Sequence, residues 1–250
     1  MTRTRALGYS ILGLAIFLGV WEAVPRFGLV NPAFLPPPST LPAAFIKEVV
    51  SGAWLDAILG SLSHYVVGLC VGVGLGTAIG IVAGMYQEAE AGLSGIVRLL
   101  RPVPGLAWVP FAILWFGVGD AAAIFIIAIG VFWIVFFAAQ GAVRAVDRDL
   151  IELADAFGFR SGWSRLGKVL LPAATPGILV GVRTALGQAW MAVVAAELFG
   201  VPGLGQRMMQ ASSLLATDIV VVYMLTIAAL YGLVDIVFVS VQGRLLRWKA

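Results

Sequence analysis

Residues 121–139 are nineteen consecutive positions without one charged side chain, and no other feature restricts the fold as strongly. A helix crosses the hydrocarbon core of a bilayer with about 20 apolar residues. This run has company. Comparable apolar stretches cover residues 7–24, 59–85, 173–198 and 219–241, and a shorter one covers 106–116. Lipid offers no hydrogen bonds, so each buried backbone N–H and C=O must be satisfied within the chain, by helices or by a closed barrel. Runs of this length fit helices, because a transmembrane strand needs only about 10 residues. The expectation is an all-α integral membrane protein with six transmembrane helices. Composition agrees: 12% charged and 61% hydrophobic residues leave no room for a soluble domain, which carries about 25% charge.

The third of these spans is unusual. Residues 88–101 are amphipathic, and Pro102, Pro104, Gly105 and Pro110 then interrupt the chain before and within 106–116. A proline removes a backbone donor and clashes with the preceding turn. The span is therefore expected to be kinked or broken, as helices are where a transporter exposes backbone to a cavity.

The basic residues orient the chain. Arg3, Arg5, Arg98, Arg101, Arg144, Arg148, Arg160, Arg165, Lys168, Arg244, Arg247 and Lys249 fall on one side of the expected spans, and Arg26, Lys47 and Arg207 on the other. By the positive-inside rule both termini lie in the cytoplasm. The net charge of +3 thus follows topology rather than a nucleic-acid partner. Outside lie residues 25–56, stiffened by Pro32, Pro36, Pro37, Pro38 and Pro42, and residues 199–218. Surface helices are expected at 40–50 and 206–215. The first apolar run follows basic residues as a signal peptide would, but Trp21-Glu-Ala-Val-Pro25 is a poor cleavage site, and the run is read as a retained span. Cys70 stands alone, so no disulfide within the chain and no thiol pair for a metal is expected. The whole chain, 1–250, reads as one membrane domain.

Within the second span, Gly68, Gly72, Gly76, Gly80 and Gly84 recur at every fourth position. Such a register makes a smooth stripe on one helix face, where a second helix can approach backbone to backbone.

The charges concentrate in one stretch, about 143–172, which must lie in water. There Leu150, Ile151, Ala154 and Phe157 recur at helical spacing, so a short helix has one apolar and one charged face. Gly158 follows as a C-cap glycine would, and Ser161 opens a second short segment towards Pro172. Two short helices about a glycine form a knob suited to a groove on another protein. Glu152-Leu-Ala154, then Gly158, then Leu171-Pro172 resemble the EAA loop of ABC importer permeases. Phe34-Leu-Pro-Pro-Pro-Ser-Thr40, Trp108-Val-Pro-Phe-Ala-Ile-Leu-Trp-Phe-Gly-Val-Gly-Asp120 and Val182-Arg-Thr-Ala-Leu-Gly-Gln-Ala-Trp190 resemble its nitrate, sulfonate, taurine and bicarbonate branch.

That resemblance implies a type I importer permease fold in a bacterial inner membrane. It makes Glu152, Ala154, Asp155, Phe157, Gly158, Arg160 and Pro172 the loop that couples to an ATPase. The implied partners are a second copy of the chain, two cytoplasmic ATP-binding subunits and an extracytoplasmic substrate-binding protein. ATP and Mg would be used by those ATPase subunits, with no cofactor bound by this chain.

The chain's own chemistry is sparse. Gly162-Trp-Ser-Arg-Leu-Gly-Lys168 fits most of a phosphate loop, but Val169 stands where the magnesium-binding hydroxyl belongs, and no strand precedes it. Neither a catalytic triad nor a metal site can be assembled. His64, the only histidine, reads as a satisfied residue near the outer end of its span. Arg183 lies about 15 Å into the fifth span, where an arginine is expensive unless it faces water or a partner. Heptad spacing puts Arg183, Gly187, Trp190 and Glu197 near one helix face, a candidate lining for an anion pathway. The alternative is a structural pair between Arg183 and a carbonyl or Asp235. Gln188 points about 140° from that face, towards another helix. The function expected is a permease for a small anionic solute. An ion-coupled secondary transporter would need inverted repeats and paired intramembrane carboxylates, and a membrane enzyme a polar cluster inside the spans.

Overall fold

The apolar runs are helices. A computed structural model describes residues 3–159 and 162–249, and among these residues no strand occurs. In chain order the helices are α1 Arg3–Arg26, α2 Leu41–Val50, α3 Ala53–Met85, α4 Gln87–Leu100, α5 Val109–Phe116, α6 Asp120–Arg144, α7 Arg148–Ala156, α8 Gly162–Arg165, α9 Leu171–Glu197, α10 Leu204–Ser213 and α11 Thr217–Leu245. Five segments are long and apolar enough to cross a bilayer: Leu7–Arg26, Ala53–Met85, Asp120–Arg144, Leu166–Glu197 and Thr217–Leu245.

The third span is broken as expected. After α4, Pro102 and Pro104 end the helix, a 3₁₀ turn runs over Gly105–Trp108, and α5 continues at 86° to α4. Turn and α5 together reach only about 20 Å, less than the roughly 30 Å core.

α6 is the centre of the bundle, with Val131, Val135, Ala139 and Ile127 fully buried. On one side it meets α3 through the glycine stripe. A β-carbon on Gly72 would stand 2.7 Å from the Ala128 carbonyl oxygen, on Gly76 2.8 Å from that of Phe132, and on Gly80 2.5 Å from that of Phe136. Gly68 and Gly84 meet Ile127 and Val143 in the same way. All five glycines thus face one partner helix, where dispersion replaces the hydrophobic drive that lipid cannot supply. On its other side α6 meets Gly177 and Gly181 of α9 with the methyl groups of Ala142 and Ala138. α11 packs outside α9 and α3 through Tyr223, Ile227 and Leu230. Near its C-terminal end α1 is attached by Trp21 against Leu41, Ala44 and Val222 and by Glu22 to Ser39. The apolar remainder of α1 is exposed.

Candidate functional site

The charged stretch folds into the expected knob. Asp147 caps α7 by accepting a hydrogen bond from the Asp149 backbone N–H at 3.1 Å. Gly158 ends the helix with φ +86°, a left-handed conformation that a β-carbon penalises. The Phe159 N–H donates to the Ala154 carbonyl at 2.9 Å and the Gly158 N–H to that of Asp155 at 3.2 Å, the paired bonds of a Schellman motif. Arg165 then reaches back to Asp155 at 2.6 Å, fixing the second segment on the first. That segment is α8, followed by a π-helical turn over Leu166–Leu170 that runs without a gap into α9. Pro172 follows the π-helical turn directly, at the second residue of α9. Arg160 and Ser161, both part of the expected loop, lie outside the described residues.

The apolar face of the knob differs in detail from the expected one. Ala154 is buried against its own protomer, and Ile151 is half-buried. Leu150, Leu153 and Phe157 are exposed, at 46%, 54% and 73%. With Phe159, Val169 and Pro172 they line an open groove of about 350 Å³. Glu152 stands exposed on the same helix. Large apolar side chains clustered in water mark a protein-binding surface. The stretch that imitates a phosphate loop is helical from Gly162 to Leu170, and Lys168 rests 4.5 Å above the Phe159 ring. A backbone that is helical along the whole stretch cannot fold round a phosphate as a glycine-rich loop does.

The expected stripe on α9 divides. Arg183, about half exposed, forms a two-pronged pair with Asp235 of α11, Nε to Oδ1 at 2.8 Å and Nη2 to Oδ2 at 2.9 Å. Of the two alternatives for Arg183, the Asp235 pair is the one found, and its charge is balanced. Gly187 lies against the Tyr231 ring. Trp190, of the same expected face, is buried and stacked on Tyr65 with centroids 4.5 Å apart.

Glu197, the last residue of the expected pathway face, is fully buried. Its carboxylate accepts from the Ser61 hydroxyl at 2.8 Å and from the Gly205 backbone N–H at 2.9 Å, and it lies 3.0 Å from His64 Nδ1. His64 Nε2 lies 3.0 Å from Asp120. The Ser61 hydroxyl in turn accepts from the Leu204 N–H at 2.8 Å. A β-carbon on Gly203 would run into the Glu197 carboxylate, and one on Gly205 into the Val194 carbonyl oxygen and the Glu197 β-carbon. The Glu197 carboxylate thus pins α3, α9 and α10 together, and His64 extends the cluster to Asp120 of α6. Heptad spacing could not reveal this, because Ser61 and His64 lie more than 130 residues away.

A second polar knot, unforeseen in the sequence, ties the surface helices down. Glu48 of α2 is 4% exposed and receives Arg207 of α10 at 2.7 Å and the Tyr223 hydroxyl at 2.6 Å. Burial raises the Glu48 pKa, but the hydrogen bonds from Arg207 and Tyr223 outweigh it and hold the carboxyl below its ordinary value.

Residues 72–249 match the family described as binding-protein-dependent transport system inner membrane component. A Bacillus subtilis (strain 168) protein named as a permease for aliphatic sulfonates transport is 35% identical over 237 residues, covering 94% of this chain and 85% of its own. The taurine transport system permease protein of Escherichia coli (strain K12) is 34% identical over 251 residues, 98% of this chain and 91% of its own. Among solved structures, an inward-facing form of the MetNI methionine ABC transporter superposes with TM-score 0.66 at 21% identity, over 81% of this chain and 99% of that one. The fold is accordingly that of an all-helical ABC importer permease.

Proposed function

The chain belongs to the family of binding-protein-dependent transport system inner membrane components, and on that premise we propose that it is one half of the translocation pathway for a small organic sulfonate. It is a multi-pass inner-membrane transport permease, not an enzyme. In the proposed assembly two copies meet across the pathway, both termini and α7 face the cytoplasm, and each α7 seats in one of two ATP-hydrolysing subunits. A soluble binding protein delivers substrate to the opposite side. The observation that carries the reading is the exposed apolar groove of Leu150, Leu153 and Phe157 beside the Gly158 cap, which no other described residue of the protomer covers. Rigid helices joined by the Glu197 and Glu48 knots would transmit a displacement of that knob as a body. Substrate class follows from the sulfonate and taurine relatives.

The test is reconstitution. The chain, its ATPase subunit and its binding protein in proteoliposomes should import ethanesulfonate only with internal ATP and Mg. The chain purified alone should hydrolyse no ATP, and Lys168→Ala should leave nucleotide binding by the complex intact. Turnover by the isolated chain, or import of nitrate or bicarbonate without ethanesulfonate, would overturn the assignment.

A further inference from the structure

The break in the third span encloses a cavity, and this cavity has the chemistry of an anion site. Its volume is about 260 Å³, and its walls include Arg101, Gly105, Trp108, Gly130, Trp133 and Gln188. Gly130 lies ten residues into α6 and Gln188 nine before the end of α9, about 15 and 14 Å from the same end of the bundle. Two antiparallel helices therefore place the cavity at one depth, well inside the roughly 30 Å core. The α4–α5 break supplies the remaining wall.

Three features distinguish this cavity from the larger groove beside α11, whose lining is almost wholly apolar, from Pro38 to Leu233. First, it contains a cation. The Arg101 guanidinium lies 4.5 Å from the centroid of the Phe137 ring and has no carboxylate within ion-pair distance among the described residues. Arg101 is exposed, and its ring partner Phe137 lies seven residues before the end of α6; Arg183, by contrast, is neutralised by Asp235. A guanidinium over an aromatic face keeps most of its donors free, and its fork matches an oxyanion. Second, Gln188 adds an uncharged amide donor from the opposite wall. Third, the buried indole nitrogens of Trp108 and Trp133 beside the cavity have no hydrogen-bond partner among the described residues. Buried indole donors are usually paired. The volume holds roughly nine water-sized shares of about 30 Å³, enough for an acid of a few carbon atoms. Gly105 and Gly130 keep the walls thin, since a β-carbon on Gly105 would already lie 3.6 Å from Gly130.

We infer that this cavity is an intramembrane station for the sulfonate monoanion, with Arg101 as the charge partner and Gln188 as a second donor. The inference rests on the proposed function and locates its substrate on the pathway. Selectivity by a fixed cation is electrostatic, so an uncharged sulfone of the same shape should be excluded.

The test uses the complete permease, ATPase and binding-protein complex in proteoliposomes, with uptake expressed per assembled complex. Ethanesulfonate uptake should fall at least tenfold in Arg101→Gln and recover in part in Arg101→Lys. Ethyl methyl sulfone should neither enter nor compete. A second readout survives any assembly defect of those variants. Gln188→Cys in a Cys70→Ser background should react with an anionic methanethiosulfonate, and ethanesulfonate should slow that reaction at least threefold. If wild type imports ethanesulfonate while Arg101→Gln stays within twofold of it, or if ethanesulfonate leaves the labelling rate unchanged, the site is wrong and the function stands. If wild type imports no ethanesulfonate, the functional reading fails and takes the site with it.

Discussion

Substituting one glycine of α3 by alanine should have opposite consequences at two positions six residues apart. At Gly80 a β-carbon would stand 2.5 Å from the Phe136 carbonyl oxygen and 2.9 Å from the Ala139 methyl group. Carbon–oxygen contacts relax to about 3.3 Å at closest, so α3 and α6 must part by about 0.8 Å locally. The obstacle is backbone and cannot rotate away. Overpacking of this kind costs about 1–3 kcal/mol. At Gly74, in the same helix, a β-carbon meets nothing within 4 Å. Both changes carry the same gain in helix propensity, so the difference between the variants isolates the packing cost. At roughly 2–4 °C per kcal/mol for a chain of this size, Gly80→Ala should melt about 2–12 °C below Gly74→Ala. Thermal unfolding of both proteins in one detergent, followed by fluorescence-detected size exclusion, measures the gap. Equal melting temperatures would refute the close approach of α3 and α6, and with it the reason for the glycine register.

Arg183→Gln should lower the melting temperature and yield while leaving transport per assembled complex near wild type, and Arg183→Gln with Asp235→Asn should be milder than either change alone. A large transport loss in a stable Arg183→Gln complex would instead make Arg183 part of the pathway. The Glu48 knot should be acid-sensitive: its folded pKa is depressed, so its contribution is present above the ordinary carboxyl value of about 4.3 and is lost as pH falls through the lower folded value. Glu48→Gln should flatten that acid-side loss of melting temperature between pH 6 and pH 3, and an unchanged slope would show the knot to be irrelevant. Gly158→Val forces a branched residue to φ +86°, at a cost of about 1–2 kcal/mol, and should weaken capture of the ATPase subunit in a pull-down without reducing membrane insertion.

Most of the architecture was legible because the bilayer simplifies the code. Length and hydropathy place α3, α6, α9 and α11 to within a few residues, and the prolines at 102 and 104 announce the break but not its 86° bend. The glycine register named the contact face of α3 yet not its partner, since a smooth stripe fits any helix. The Gly158 cap was readable because capping is local. The apolar face of α7 was rotated from expectation: Ala154, counted as part of the docking stripe, is the residue that turns inward, and Leu153 turns outward. A helical wheel fixes relative angles within a helix, and only tertiary packing decides which sector faces home.

The same limit explains Arg183, Trp190 and Glu197, and it bears on the charge balance of the whole membrane domain. Their spacing on α9 was right, but each is consumed by a partner from another helix: Asp235, Tyr65, and the Ser61–His64–Gly205 cluster. Uncompensated charge in lipid is costly, so a stable bundle pairs what it can. Glu197 and Asp120 share His64, Arg183 has Asp235, and Arg144 at the end of α6 has Glu90. What such pairing leaves over has a different significance from what it uses. Arg101, which the topology rule counted simply as one more cytoplasmic cation, sits at the broken span with an aromatic ring rather than a carboxylate beside it. A structural cation would have cost less with an acidic partner, whereas a transported anion requires that the partner be absent.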